Sequence, residues 1–472
     1  MPDALPPYSA YKDSGVPWLG RIPAHWRQMP GRACYREKKV SNTGLKETTV
    51  LSLSYGQIVV KPPEKLHGLV PASFETYQIV DPGDIIVRPT DLQNDWNSLR
   101  FGLNRHRGII TSAYMCFHTE DVMTREYGHL LLHAYDLKKV FYGLGSGLRQ
   151  NLDWRDFKYL PCLVPPPDEQ QTITRYLDYM DRRIRRYIRA KQKLIALLEE
   201  QKQAIIHQAV TRGLDPSVQL KPSGVAWLGD VPEHWEILRS KYLFQEIDAR
   251  SVSGEEVRLS MSQRFGLIPS SELEEKRLLS ESSVGGKLCK KRDLVLNRLK
   301  AHLGVFALAQ QPGIVSPDYT VFRPSREIVS QYFEAVYRTP ACRVELRQKA
   351  KGIVQGFWRL YTDDFYNIRM PVPPVSEQRA IMERLGTELS DLACAIDRTQ
   401  REIALLREYR TRLLADVVTG QVDVRAAAAQ LPGEVDETDA LDEVEALDEA
   451  AVELVEDEEG EEQMDVEEET DG

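Results

Sequence analysis

The sequence predicts an α+β protein: two mixed α/β domains separated by two long coiled-coil helices, a tandem duplication, then a disordered acidic tail. Three observations predict it. A set of motifs recurs in the same order with a period near 208 residues. Each copy ends on a long helical stretch with an apolar stripe. Beyond the second stretch the chain loses its aromatic residues and turns acidic. The expected divisions are 1–167 and 214–375 for the mixed domains, 168–213 and 376–424 for the helices, and 425–472 for the tail.

The repeat is read directly. SGVPWLGRIPAHW at 14–26 returns as SGVAWLGDVPEHW at 223–235, and LSLSYG at 51–56 as LSMSQRFG at 259–266. GIITSAY at 108–114 returns as GIVSPDY at 313–319, and VPPPDEQQTI at 164–173 as VPPVSEQRAI at 372–381. IALL occurs at 195–198 and again at 403–406. The period is far too long for a solenoid, so each copy is a domain-sized unit. Inside each, short strand-like runs such as DIIV at 84–87 and DLVL at 293–296 are punctuated by Gly and Pro. Trp18, Trp26, Trp227 and Trp235 fall in the two repeated aromatic segments. They are expected to be packing anchors, with His25 and His234 structural beside them.

One long helix is expected after Pro167 and another after Pro374, with Asp168 and Ser376 as N-caps. In the first, Ile173, Leu177, Met180, Ile184, Tyr187, Leu194, Leu198 and Ile205 fall on a three-four spacing. In the second, Leu385, Leu392, Ile396, Thr399, Ile403, Leu406, Leu413 and Val417 do the same. Such stripes want a helical partner. Their matching lengths in one chain make each the economical partner of the other. A helix over 169–211 spans roughly 65 Å at about 1.5 Å per residue, a length that suits a spacer.

The net charge of −10 hides an asymmetry. From 434 to 472 there are 21 Asp and Glu and no Lys or Arg, which leaves +11 on the rest of the chain. A mildly basic body suits nucleic acid, and the acidic end is expected to be disordered. The six cysteines are scattered without a C-x-x-C pair. That argues against a zinc site or a disulfide framework and for a reducing cytoplasm. No apolar run is long enough to span a bilayer. The N-terminus, MPDALPPYSAYKDSG, lacks the basic start and apolar core of a secretion signal.

The order W-L-G-x-[IV]-P-x-H-W, mixed region, P-P-x-x-E-Q, long helix, and then all of it again resembles the Type I restriction-modification specificity subunits. The resemblance covers residues from about 8 to 424. It implies that each mixed region is a target recognition domain reading one half of a bipartite, asymmetric site in double-stranded DNA. It implies that the helices pair antiparallel as a spacer. The implied partners are two modification subunits, which hold S-adenosylmethionine and methylate adenine, and two restriction subunits, which cut DNA with ATP and magnesium. No cofactor, metal or catalytic centre is expected in this chain, and no membrane. The division makes physical sense. A dimer of identical readers sees a palindrome. A tandem duplication keeps that geometry and lets the halves diverge, and here the interiors diverge while the framework repeats.

Base-edge readout calls for Arg or Lys at guanine and Asn or Gln at adenine. On expected loops of the first domain the candidates are Arg88, Gln93, Asn94, Asn97, Arg100 and Arg105, and the stretch 52–57 is a second candidate loop. In the second they are Gln263, Arg264, Asn297, Arg298, Lys300 and His302. Lys138, Lys139, Arg149, Lys287, Lys290, Lys291 and Arg292 are weaker candidates for phosphate contacts, which position a protein without telling it the sequence. Two rivals come from other classes: a self-contained methyltransferase or nuclease, and a purely structural coiled-coil adaptor. The F-x-G-x-G at 141–145 imitates a methyltransferase cofactor loop. No N-P-P-[FYW] or D-P-P-[FYW] tetrapeptide accompanies it, so its glycines read as a flexible connection. No G-x-x-x-x-G-K-[ST] phosphate loop occurs either.

Overall fold

The runs that begin at Asp84 and Asp293 become central strands of two equivalent sheets. A computed structural model describes residues 5–54, 56–62, 73–93, 95–96, 99–144, 150–262, 266–272, 284–298, 305–351 and 359–432. The chain divides into two compact units, 1–190 with 402–472, and 191–401. In the first, an antiparallel sheet runs Tyr35–Lys38, Met115–Thr119, Ile85–Val87, Phe101–Leu103. In the second, the order is Phe244–Ile247, Tyr319–Pro324, Leu294–Asn297, Phe306–Leu308. The strand Ile85–Val87 is apolar throughout because both of its faces are covered. Ile85 and Val87 join the main core with Leu131 of the helix Arg125–Leu137, while Ile86 packs with Leu51, Val80 and Ile110 on the other face.

The aspartates at the heads of these strands are structural. Asp84 is buried, accepts from Lys38 Nζ at 2.5 Å and from the backbone of Asp81, and lies 3.3 Å from His118 Nδ1. Asp293 is buried likewise, holds the Arg323 guanidinium with both oxygens at 2.9 and 2.6 Å, and accepts from the backbone of Lys290. His118 and Arg323 occupy equivalent positions, one residue beyond Phe117 and Phe322, which pair with Ile85 and Leu294.

The two expected helices are Pro167–Arg212 and Val375–Val418. Asp168 and Ser376 are not their caps. Both lie inside the first turn, and the carbonyls of Pro166 and Pro374 accept the first helical hydrogen bonds. Proline at the first helical position loses no hydrogen bond, since that N–H has no partner in any helix. In the first unit the beginning of the first long helix packs on the end of the second, through Ile173, Leu177, Met180, Leu413 and Val417, with an Asp181–Arg410 ion pair. In the second unit the opposite ends meet, through Ala209, Val210, Ile381 and Leu385. The pairing is therefore antiparallel. The stripe is not buried along its whole length: Tyr187 and Leu194 are exposed.

The repeated motifs meet at the helix ends, and this explains their composition. In the first unit the Glu169 carboxylate accepts from Tyr8 Oη at 2.7 Å and Trp26 Nε1 at 3.0 Å, and contacts His25 Nε2 at 2.7 Å. In the second, Glu377 accepts from Trp235 Nε1 at 3.1 Å and contacts His234 Nε2 at 2.8 Å. The neighbouring glutamines bind backbone. Gln170 accepts from Thr124 N and donates to Val122 O and Pro165 O. Gln378 accepts from Val329 N and donates to Pro373 O. The same two tryptophans receive the ends of the other helices. Gly420 follows the second helix at φ +74°, and a Cβ there would lie 2.4 Å from Pro23 and 3.1 Å from Trp26. Gly213 follows the first helix at φ +76°, and a Cβ there would lie 3.3 Å from Trp235. Only glycine supplies both that backbone and that space. Tyr127 and Tyr332 donate to the last helical carbonyls, Val418 O and Val210 O.

The expectation of disorder from residue 425 onward is corrected at its start. Arg425–Ala429 form a short helix, Val424 and Ala428 are buried in the first unit's core, and Asp423 N donates to Pro6 O. Packing against the aromatic segment orders this stretch. The acidic run at 434–472 lies outside the described residues. Among the described residues no helix is long and apolar enough to cross a membrane.

Candidate nucleic-acid interface

In the first unit two of the expected stretches converge, and in the second the described part of one of them borders an edge strand. The first unit's hairpin, Leu51–Ser54 with Gln57–Val60, turns at Gly56 with φ +78°. A Cβ on Gly56 would lie 3.1 Å from Leu99, so the hairpin tip rests on the end of the loop 88–100. In the second unit the hairpin Leu259–Ser262 with Gly266–Pro269 lies beside Phe306–Leu308, and a Cβ on Gly266 would lie 3.6 Å from Ala307. In each unit the hairpin thus lies against the edge strand of an equivalent sheet, and in the first it also meets the loop 88–100. Asn94, Asn97, Gln263, Arg264, Lys300 and His302 lie outside the described residues.

The described candidates do not share one environment. Gln93 and Arg105 are exposed. Arg88 is partly exposed and ion-paired to Asp95 at 3.3 Å. Asn297 ends its strand half-buried. Arg298 donates from Nε to Asp318 O at 2.8 Å.

Arg100 requires a correction. Its side chain is 0% exposed. Its guanidinium donates to the carbonyls of Thr90 and Asp95 at 2.6 Å and of Asp91 at 3.3 Å, and Nε donates to Tyr142 Oη at 3.3 Å. It is an internal brace for the loop, because its planar fork of five donors spans several carbonyls of the turning backbone and the Tyr142 hydroxyl at once. Below it, Asp136 accepts from Arg100 N at 2.9 Å. Burial pushes the Asp136 carboxyl up to about 6.

Two further readings change. Lys287 is buried against Glu246 and Asp248 at 3.5 and 3.4 Å, so it is an internal ion-pair partner rather than a phosphate contact. Phe141 and Tyr142, of the apparent cofactor motif, are buried in a short 3-10 helix, Val140–Gly143, and support the loop 88–100. Lys139 donates to Trp96 O and lies over the Tyr142 ring. Sequence reasoning missed Trp96 and Tyr142. The signal was a tryptophan between polar loop residues, outside the repeated aromatic segments.

The fold defines a class: a duplicated scaffold whose repeated residues root two domains on two helices, with a hairpin beside the edge strand of each sheet. In sequence and in fold it resembles the Type I restriction specificity subunits. It is 22% identical over 364 residues to the Type I restriction enzyme MjaVIII specificity subunit of Methanocaldococcus jannaschii, covering 72% of this chain and 81% of that protein. It is 23% identical over 308 residues to the putative Type I restriction enzyme MjaX specificity subunit of the same organism, covering 62% of this chain and 67% of that one. A chain from a solved type I restriction-modification system shares the fold, with a TM-score of 0.62 at 16% identity, over 85% of this chain and 99% of that chain. No family model matches.

Proposed function

We propose that this chain is the DNA sequence-specificity subunit of a Type I restriction-modification complex and works in the cytoplasm. Each mixed domain reads one half of a bipartite, asymmetric site. The long helices set the gap between the halves and dock two modification subunits. The chain is non-catalytic: S-adenosylmethionine belongs to the modification subunits, and ATP with magnesium to two restriction subunits. The observation that carries this reading is the partition of the repeat. His25, Trp26 and Glu169, and their counterparts His234, Trp235 and Glu377, serve the framework. The stretches between the shared motifs, 88–100 and 297–305 among them, differ between the copies. A scaffold that repeats its roots and varies its loops suits two halves of different sequence.

The test is a domain exchange. Residues 237–371 are replaced by the corresponding region of a relative, and methylated adenines are mapped in cells that also make the modification subunit. One half of the methylated site should change and the other should stay. If both halves change together, the two-reader proposal is wrong. Methyl transfer by the purified chain alone would establish the self-contained enzyme instead.

A further inference from the structure

We propose that Trp96 is a sequence-reading residue of the first domain, presenting a rigid apolar face to the base edges of its DNA half-site. This rests on the DNA-reading proposal above and adds a residue to it. Trp96 is 53% exposed, the most exposed of the described tryptophans. An exposed indole is ordinarily mobile, and this one is held at two points on the ring and one on the backbone. Its Nε1 donates to Gln93 O at 3.1 Å. One face lies on Tyr142, with ring centroids 4.6 Å apart and planes 34° from parallel. Its carbonyl accepts from Lys139 Nζ. Tyr142 is fixed in turn: its hydroxyl accepts from Arg100 Nε and donates to Asp95 O, and the Arg100 and Lys139 cations sit 5.3 and 4.5 Å from its ring centroid.

The construction points outward. A guanidinium is buried beneath the loop, and with it the half-exposed indole above is kept in one place. Fixing a contact residue before binding lowers the ordering cost at binding. Trp96 sits among the polar loop residues Gln93 and Arg88, beside the hairpin tip that rests on Leu99. The loop belongs to this copy alone. It runs thirteen residues from Arg88 to Arg100, whereas the equivalent stretch of the second copy, Asn297 to Val305, has nine and no tryptophan. A feature confined to one copy suits a half-site that differs from the other. In the major groove, the apolar partner for such a face is the thymine methyl group and the base edges around it.

The experiment uses the full chain assembled with its modification subunits. The probes are a duplex carrying the site found by adenine mapping and a scrambled duplex of equal length. Trp96→Ala should weaken binding to the cognate duplex by about tenfold, the scale of one good apolar or stacking contact with a base. Binding to the scrambled duplex and the salt dependence should stay unchanged, because the indole carries no charge. Trp96→Phe should fall between. The thermal midpoint of Trp96→Ala should match that of the parent, which separates lost contact from lost fold. Unchanged cognate affinity in Trp96→Ala overturns the inference, and so does an equal loss on both duplexes. If the parent complex does not distinguish the duplexes, the DNA-reading proposal itself fails and this inference with it.

Discussion

Removing the Glu169 carboxylate should destabilise the first unit more than removing Glu377 destabilises the second. The two glutamates are equivalent in the repeat but not in their surroundings. Glu169 is 5% exposed and its donors include Tyr8 Oη and Trp26 Nε1, both on buried residues. Glu377 is 26% exposed and has one such donor, Trp235 Nε1. His25 and His234 reach solvent and add little to the difference. Each buried donor left without an acceptor costs about 1–3 kcal/mol. Glu169→Ala should therefore cost about 4 kcal/mol and Glu377→Ala about 2 kcal/mol. The assay is amide hydrogen exchange followed by mass spectrometry on peptides covering 8–26 and 225–235, with urea unfolding of the whole chain alongside. A loss of 4 kcal/mol in the first unit speeds exchange through global opening by about a thousandfold. Equal losses in the two variants, or a loss under 1 kcal/mol for Glu169→Ala, would refute the clamp as the energetic root of the helix.

Three other perturbations have definite outcomes. The Asp136 carboxyl is raised to about 6 from an ordinary 3.8, so the folded state binds more protons than the unfolded state between those values. Stability therefore falls as pH rises through that window, by about 3 kcal/mol in all. Relative to the parent, Asp136→Asn should gain about 1–2 kcal/mol of stability between pH 5 and pH 7.5 in urea titrations; a constant difference would show that the group does not titrate there. Arg100→Lys should not replace the parent residue, because an ammonium carries its three donors on one atom and cannot span partners that the guanidinium reaches from three separate nitrogens. Methylation mapping should show relaxed sequence in one half-site only, and loss in both halves would contradict a local brace. Inserting four residues at Ala190 adds about 6 Å of helix and a net turn of about 40°. If the helices set the gap, the methylated site should lengthen by one or two base pairs, each being about 3.4 Å. An active variant with an unchanged gap would exclude that role.

Much of the architecture is determined by the sequence alone, because its signals are periodic or repeated. The three-four stripes announce the long helices, and the doubled H-W and E-Q motifs announce two equivalent roots. The site is legible only in part. Arg88, Arg100 and Arg105 look alike in the sequence, each in a polar stretch on a loop. Tertiary structure separates them. Arg100 is enclosed by carbonyls of its own loop and by Tyr142, forty-two residues further on, while Arg105 faces solvent. Lys287 is likewise indistinguishable from a surface lysine until the strand Phe244–Ile247 brings Glu246 beside it. Trp96 stands in the sequence among polar loop residues, and only the folded chain shows its indole half exposed and seated on Tyr142. Whether a polar side chain is a brace or a reader depends on which groups the fold packs around it, as Tyr142 around Arg100 and Glu246 around Lys287. Only the folded chain brings those groups together, which is why the sequence determined the framework and the tertiary structure decided the reading surface.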